Sequence, residues 1–499
     1  MREFAQMAAD MRVERRRAAS WLSQPWAPVL VLAVAVALWV IVFFRLGALR
    51  HDRHGTFGFD LGIYDQATWL LAFFRHPFIT VRGLDVFGHH ATPGLWLFAP
   101  FYWLGGGPKV LLALQVCAQA SGAFAMYLLA RDLLGSRWIG TALGVVLLLN
   151  PTSQYLVWEF FHPEAFAIGP LLFAYWAART RRWNWFWPAA LLAISMKEDL
   201  ALALLVIGIL VAVRGARRIG IAIALLSFGW FVIATRIVIP WRNGVGPFYE
   251  QLYGTLGDSP TQVAWYLVRH PGRAWSIATE PDRLEYYRQM FFPVALLPLL
   301  APEALAIGLP MLAINVYTSD GFPFTRNYQF HYSAIVLAAV MIGTVEALAR
   351  IRSVPARHAL VGVLLVAALV SCVQWGASPI SRDYDRGIWP LHGEDRAAAK
   401  DHALALLPSG AATSAAYNLV PHLTHRQKIY EFPVPWRPIN WGVHGENLDD
   451  PRGVRWLLVD RRLLNPEDIA LLDRLLRTEF EVRYTRNDIV LAQRVKNFR

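Results

Sequence analysis

The sequence predicts an all-α, polytopic membrane protein that carries a small α/β domain at its C-terminal end. The chain of 499 residues is 56% hydrophobic, and only 17% of its residues are charged, against roughly 25% in a soluble domain. Apolar runs near the roughly 20 residues that cross a bilayer recur as far as residue 375. Charges, prolines and short alternating segments then replace them. We therefore predict a transmembrane domain over residues 1–376 and a second domain over residues 377–499.

The first predicted element is a retained helix behind an arginine-rich start. Arg12, Arg15, Arg16 and Arg17 precede an apolar run at 28–44, so the positive-inside rule places the N-terminus in the cytoplasm. No small-residue cleavage site follows, which argues against a removed signal peptide. The net charge of +12 is explained by arginines in cytoplasmic loops, and no aromatic–basic module predicts nucleic acid as a partner.

About eleven spans are predicted, interrupted by two long outer segments at 47–108 and 240–289. The short apolar stretch at 95–104 is expected to lie along the interface or to re-enter. Apart from the turn at Pro302 and Glu303, every inside loop is rich in arginine, as the positive-inside rule requires. The predicted spans cover residues 28–46, 110–130, 138–149, 165–178, 186–196, 200–213, 219–239, 291–300, 305–316, 332–348 and 360–375.

The second domain is predicted to lie outside the cytoplasm and to mix helices with strands. An amphipathic helix is expected at 394–407 and a strand at 454–459. Asn465 and Pro466 have the residue types of an N-cap and a first helical position. A hairpin is expected between 481–485 and 489–493, across Asn487 and Asp488.

Five clusters of ionisable residues lie at the outer ends of the predicted spans. Ionisable groups at membrane depth are costly, so their presence indicates function, and their convergence on one side indicates one site. The clusters are Asp60 and Asp65 with His89 and His90; His162 and Glu164; Lys197, Glu198 and Asp199; Arg236 with Arg242; and Arg326 with His331.

The aspartates and histidines suit acid–base or ligand chemistry. Asp60 follows the first span, where a carboxylate can act as a general base on a hydroxyl. Asp65 does not share a helical face with it and could instead cap or pair. His89 and His90, joined by His162 or Asp60, could form a mixed nitrogen and oxygen site for a divalent metal; hydrogen bonding to a phosphate or sugar is the equal alternative.

The remaining clusters each have a structural and a substrate-binding interpretation. Glu164 occupies a favourable first-turn position after Pro163, or it binds a ligand together with His162. The triplet at 197–199 is a solvated turn, or its lysine holds a phosphate. Arg236 snorkels or binds a lipid-linked phosphate. Arg326 and His331 belong to an aromatic belt or contribute phosphate and hydroxyl partners.

Several of these segments resemble a bacterial family of predicted membrane proteins, domain of unknown function 2079. The matching segments are FDLGIYDQ at 59–66, GHH at 88–90, FHPE at 161–164, KED at 197–199 and YQFHY at 328–332. The resemblance extends through the membrane portion and more weakly into the C-terminal domain. It implies a multi-pass protein of the bacterial inner membrane.

More distantly, the layout is similar to the GT-C superfamily of membrane glycosyltransferases, which have a long first outer loop with a catalytic aspartate. That resemblance implies an inverting enzyme that moves a sugar from a polyprenyl-phosphate donor to a glycan or lipid acceptor outside the cytoplasm. Asp60 would be the base and Asp65 the reserve; no cofactor is certain, and a divalent metal is the candidate. The alternatives are a transporter or flippase of lipid-linked or anionic solutes, and a non-catalytic envelope assembly protein.

Overall fold

A computed structural model describes residues 23–244, 252–254, 256–390, 396–439 and 447–495. The four N-terminal arginines behind the topology prediction lie outside the described residues, as do the first two positions of the helix expected at 394–407. Within the described residues the α-helices are α1 Ala27–Asp52, α2 Ile63–Ala72, α3 Val86–His89, α4 Ala99–Trp103, α5 Pro108–Leu134, α6 Arg137–Leu149, α7 Pro151–Trp158, α8 Pro163–Phe166, α9 Ile168–Arg179, α10 Trp183–Ile194, α11 Leu200–Val213, α12 Arg217–Ile233, α13 Ile239–Asn243, α14 Pro260–Arg269, α15 Pro271–Ala278, α16 Pro281–Phe291, α17 Pro302–Leu305, α18 Leu309–Tyr317, α19 Ala334–Arg350, α20 Val354–Trp375, α21 Arg382–Asp385, α22 Ala397–Ala405 and α23 Pro466–Thr478.

Five helices of the described chain are long and apolar enough to cross a membrane, judged by length and composition. Two shorter apolar helices, Arg137–Leu149 and Leu200–Val213, accompany them. The number of eleven spans stays a prediction. The five long helices are Ala27–Asp52, Pro108–Leu134, Arg217–Asn243, His331–Arg350 and Val354–Trp375.

Several predicted spans have other bounds or interruptions in the structure, among them 165–178 and 305–316, and two of the differences have a clear local cause. Helix α1 continues past Leu46 to Asp52 because the polar groups of its last turn find protein partners: Arg50 Nη1 donates to the Trp158 carbonyl at 2.6 Å, and His51 Nδ1 lies 2.9 Å from Thr56 Oγ1. The segment at 291–300 forms two 3₁₀ turns, Phe292–Val294 and Leu297–Leu300, instead of a regular helix. Each turn contains a proline, which lacks the backbone donor that a continuous helix needs.

The short stretch at 95–104 is not a span, as expected. It forms a 3₁₀ turn, Pro93–Phe98, followed by α4. Trp96, Leu97, Trp103 and Leu104 remain exposed, the pattern of an apolar face turned toward lipid.

The C-terminal part contains a five-stranded mixed sheet. Its strands are β3 Thr413–Ala415, β4 Ile429–Glu431, β5 Trp456–Asp460, β6 Phe480–Arg486 and β7 Ile489–Arg494, and their order is β4-β3-β5-β7-β6. Strand β3 pairs in parallel with β4 and β5, whereas β7 pairs antiparallel with β5 and β6. A separate two-stranded ribbon, β1 Phe78–Ile79 and β2 Leu84–Asp85, lies in the long segment after α1.

The helix and hairpin signals in this part are confirmed. Asn465 caps α23, accepting from the Asp468 amide at 2.9 Å, and Pro466 is the first helical residue. Asn487 and Asp488 connect β6 and β7 with φ of 50° and 67°, the left-handed pair that a tight hairpin turn requires.

Three helices run in the same direction and define two ends of the helical part. At one end, Glu346 of α19 accepts hydrogen bonds from Arg179 Nε at 2.7 Å and from Arg214 Nη1 at 3.2 Å, at the ends of α9 and α11. Glu303 joins this end through Arg350 at 2.5 Å. The opposite ends of α9, α11 and α19 therefore lie together as well, and the candidate site is found there.

Candidate functional site

A cavity of about 290 Å³ lies where the first long segment meets the starts of α8 and α19. All thirteen residues of the five clusters are among the described residues, and six of them line this cavity. These six are Asp60, His89, His90, His162, Glu164 and His331. Aromatic side chains, among them Phe59, Tyr64 and Tyr332, form much of the remaining wall.

Asp60 is presented by a π-helical turn, Gly58–Gly62, just ahead of α2. The Gly58 amide donates to the Tyr417 carbonyl at 2.8 Å, so the C-terminal part holds the turn in place. The Asp60 carboxylate remains 28% exposed, and its Oδ1 lies 3.4 Å from His162 Nε2. Single π-turns are rare and are frequent at functional sites.

A second carboxylate, Glu159, forms the opposite wall together with two histidines. Glu159 Oε1 lies 2.8 Å from His331 Nδ1, and its other oxygen accepts from the His331 amide. The rings of His162 and His331 stack with centroids 4.0 Å apart. His331 Nε2 also lies 3.7 Å from Glu164 Oε1.

The turn that carries Glu159 and His162 is clamped from α5. Gln115 Nε2 donates to the Phe160 carbonyl at 2.5 Å, and the His162 amide donates to Gln115 Oε1 at 2.6 Å. Phe160 has a φ of +77°. A left-handed bulky residue is strained, and such strain is retained where the surroundings fix it, commonly at functional sites.

Lys197, Glu198 and Asp199 form a second layer behind the cavity wall. Lys197 Nζ contacts Glu164 Oε1 at 2.6 Å and Asp199 Oδ2 at 3.5 Å. Glu198 lies 2.8 Å from His90 Nδ1 and accepts from the Ala91 amide at 3.0 Å. The triplet therefore orients Glu164 and His90 and is not a solvated turn.

Burial and neighbouring charges shift the pKa values of these groups in different directions. Burial raises the pKa of Glu159 well above its ordinary value, and the charge of Asp60 adds to the effect. Burial also acts to raise the pKa of Glu164, but Lys197 outweighs it and the pKa is lowered. The pKa of His90 is lowered by burial and then by Lys197, which keeps its imidazole neutral.

His89 and His90 are placed by contacts that secure the short helix α3. Asp85 caps the helix, accepting from the Phe87 amide at 2.9 Å, and Arg242 holds the other oxygen of Asp85 at 2.5 Å. The Gly88 carbonyl accepts from Asn243 at 2.8 Å. Arg242, noted in the sequence beside Arg236, thus fastens the loop of the two histidines.

Three predicted site residues lie away from the cavity. Asp65 is fully buried and accepts hydrogen bonds from Tyr102 at 2.5 Å and from Thr424. Arg236 lies in a second π-helical segment, Ala234–Val238, with an exposed side chain. Arg326 pairs with Asp282 and Asp320 and lines a different cavity, of about 470 Å³.

Two ionisable residues of the cavity wall were not predicted. Glu159 lies between Trp158 and Phe160, at the outer turn that follows Asn150, so the criterion that selected His162 could have selected it. Arg82 is buried to 1% exposure and lies over the Phe59 ring at 5.9 Å. It sits in the middle of a long polar segment, where no span boundary singles it out.

Among the described residues, the arrangement provides carboxylates, imidazoles and one guanidinium around a cavity of about 290 Å³. Asp60 can accept a proton, and Arg82 can face an anion. The N-terminal ends of α9, α11 and α19 follow Glu164, Asp199 and His331 closely, and their partial positive charges also favour an anion at this end.

Comparisons with known proteins support both the fold and a family. A family model described as "Predicted membrane protein (DUF2079)" matches residues 50–491. No curated protein matches the chain. The crystal structure of ArnT from Cupriavidus metallidurans bound to undecaprenyl phosphate superposes with a TM-score of 0.53 at 16% identity, covering 95% of this chain and 99% of that one. Its apo form gives 0.51 at 14% identity, with 96% and 98% covered. The chain thus has the fold of ArnT.

Proposed function

The chain belongs to the DUF2079 family of predicted membrane proteins, and on that premise we propose that it is an inverting, GT-C-like membrane glycosyltransferase. It moves a sugar from a polyprenyl-phosphate donor to a glycan or lipid acceptor outside the cytoplasm. The observation that carries the proposal is the position of Asp60. Its partly exposed carboxylate faces a cavity of about 290 Å³ in a chain with the fold of ArnT.

Asp60 acts as the general base. It removes the proton of an acceptor hydroxyl, the oxygen attacks the anomeric carbon, and the bond from that carbon to the donor phosphate breaks. The polyprenyl phosphate leaves with the electron pair. His162 Nε2 lies 3.4 Å from Asp60 Oδ1, beside the base. A positioned base of this kind contributes about 10²- to 10⁴-fold to the rate.

Arg82 is the cation that stabilises the leaving phosphate. Of the cations proposed from the sequence, Lys197 is neutralised by Glu164, while Arg236 and Arg326 do not line the cavity. Arg82 lines it with a fully buried guanidinium. A guanidinium in a low-dielectric wall interacts strongly with phosphate oxygens, and the helix N-termini at this end add to the effect.

The fold favours a transferase over the transport and assembly alternatives. ArnT, which shares the fold over nearly the whole chain, has been crystallised with undecaprenyl phosphate. That ligand is a polyprenyl phosphate, the class that the proposed reaction releases.

The test is the substitution Asp60→Asn in the full chain reconstituted into liposomes with synthetic polyprenyl-phosphate-linked sugars. Asparagine keeps the size of the side chain but cannot take the proton, so we expect transfer to fall by about 10²- to 10⁴-fold. The readout is radiolabelled sugar in the acceptor fraction, with thermal unfolding measured in parallel.

The matched control is Asp401→Asn, an exposed aspartate of α22. It should transfer sugar at the wild-type rate. Transfer by Asp60→Asn at the control rate would reject Asp60 as the base. Movement of the labelled donor across the bilayer without a new glycosidic bond would instead favour a flippase.

A further inference from the structure

We propose that Glu159, His162 and His331 bind one divalent transition-metal ion, with Zn²⁺ the best match, in the wall of the cavity. One ligand atom from each residue lies within 4.8 Å of the others, and Glu159 and His162 are buried. The residues come from two distant parts of the chain, the turn before α8 and the start of α19. The fold, and not a local motif, therefore assembles the set.

The unsatisfied ring nitrogens of His162 indicate that this side chain binds a ligand. Among the described residues neither nitrogen has a hydrogen-bond partner, although the side chain is 97% buried. Oε2 of Glu164, beside His331, is likewise without one. Buried polar atoms are nearly always satisfied, and each one left unsatisfied costs about 1–3 kcal/mol. A metal ion would occupy the lone pair of an imidazole nitrogen of His162.

A cation would be stabilised by the carboxylates next to the two stacked imidazoles, in addition to the positive charge that Arg82 brings to the same cavity. Asp60, Glu159 and Glu164 surround the two stacked imidazoles. Lys197 neutralises Glu164 through a contact of 2.6 Å. The other two carboxylates face histidines at 2.8 and 3.4 Å, and a divalent ion would offset their charge.

The donor set matches zinc better than magnesium. Two imidazoles and one carboxylate are the protein ligands of many catalytic zinc sites, which keep a fourth position for water or substrate. Magnesium prefers an all-oxygen shell. The stacked rings must rotate to converge on one ion, and His162 gives up no hydrogen bond in doing so.

The site differs from the set expected from sequence, which joined His162 to His89 and His90. His90 is engaged by Glu198 at 2.8 Å, whereas Glu159 already contacts His331. Only His162 is common to both sets. The open position faces the cavity next to Asp60, which lies 3.4 Å from His162.

The catalytic role of the ion rests on the proposed function, but the binding of the ion to the protein does not. Held at the cavity wall, Zn²⁺ would act as a Lewis acid on a phosphate oxygen of the donor and stabilise the charge that develops as the anomeric bond breaks. The ion undergoes no redox change. Binding is therefore measured first, without any substrate.

The experiment is metal binding to the purified full chain in detergent, stripped with a chelator and titrated with Zn²⁺ or Co²⁺. We expect about one ion per chain, and a Co²⁺ absorption spectrum typical of a tetrahedral nitrogen and oxygen site. His162→Ala and the conservative Glu159→Gln should weaken binding by more than about tenfold.

The matched control is His422→Ala, which removes a buried histidine outside the cavity and should retain the ion. Wild-type protein that takes up no ion at micromolar concentration would overturn the proposal without any variant. Equal losses in the control and in His162→Ala would also overturn it. Binding without sugar transfer would support the site while rejecting the proposed function.

Discussion

Asp60 and Asp65 lie five residues apart but have different surroundings. Those of Asp60 suit a chemical role, and those of Asp65 suit a structural one. Asp60 faces the cavity, whereas Asp65 has no exposed surface. Asp65 accepts from the hydroxyls of Tyr102 and Thr424 and lies 3.3 Å from His425 Nε2. It therefore joins α2 to the C-terminal part instead of serving as a reserve base.

Replacing Asp65 with alanine should reduce stability. The change leaves two buried hydroxyl groups without their acceptor, which lowers the free energy of unfolding by about 1–3 kcal/mol. Thermal and urea unfolding in detergent measure it, with Asp385→Ala in α21 as an exposed control that should stay within about 0.5 kcal/mol of wild type. Unchanged stability combined with lost sugar transfer would restore Asp65 as a candidate base.

Six of the thirteen residues in the five sequence clusters line the cavity, because the hydropathy pattern reveals the span boundaries at which ionisable groups become buried. Lys197 illustrates the limit, since only the fold shows that Glu164, 33 residues earlier, neutralises it. Arg326 also lies at the end of a predicted span, yet its ion pairs with Asp282 and Asp320 hold it at another cavity. Ion pairs between residues that are far apart in the sequence leave no periodic pattern from which they could be predicted.

Among the elements, the π-helical turn Gly58–Gly62 controls where the proposed base points. A Cβ at Gly58 would lie 2.8 Å from Val420 Cβ and 3.0 Å from Glu431 Oε2. The first distance is shorter than real Cβ contacts, so the turn and the C-terminal part must move apart. Position 58 therefore requires glycine because Val420 and Glu431 approach it closely, and not because its φ is unusual.

Gly58→Ala should reduce sugar transfer more than it reduces stability. A shift of about 1 Å in a catalytic group can lower the rate by about 10²-fold. Transfer rate and thermal unfolding are measured on the same preparation. Gly362→Ala in α20, where nothing lies within 4 Å of the added carbon, is the matched control. Wild-type transfer by Gly58→Ala would show that the turn does not set the position of Asp60.

Sequence patterns predicted helices and turns correctly where neighbouring residues determine them, and incorrectly where tertiary contacts determine them. The cap at Asn465 and the hairpin at Asn487 depend on a few neighbouring residues, and both are confirmed. The extension of α1 to Asp52 depends on Trp158, which lies 108 residues away from Arg50. The apolar run at 291–300 has the composition of a span, but its prolines and the positive φ of Ala295 and Leu296 prevent a helix.

The whole molecule has two chemically different ends. Arg179, Arg214 and Arg350 meet Glu346 and Glu303 at one end, and the cavity lies at the other. The C-terminal part packs at the cavity end, where Thr80 donates to the Ile429 carbonyl at 2.6 Å. Because arginine-rich ends stay in the cytoplasm, we propose that the cavity and the C-terminal part lie outside it.

Cysteine labelling in intact cells tests this orientation. In a chain without Cys117 and Cys372, one new cysteine is introduced at an exposed position of either end, Asp401→Cys in α22 or Arg352→Cys between α19 and α20. A membrane-impermeant maleimide should label Asp401→Cys in whole cells and Arg352→Cys only after lysis. The reverse pattern would place the cavity in the cytoplasm, where an acceptor outside the cell could not reach Asp60, and would reject the proposed reaction together with the topology.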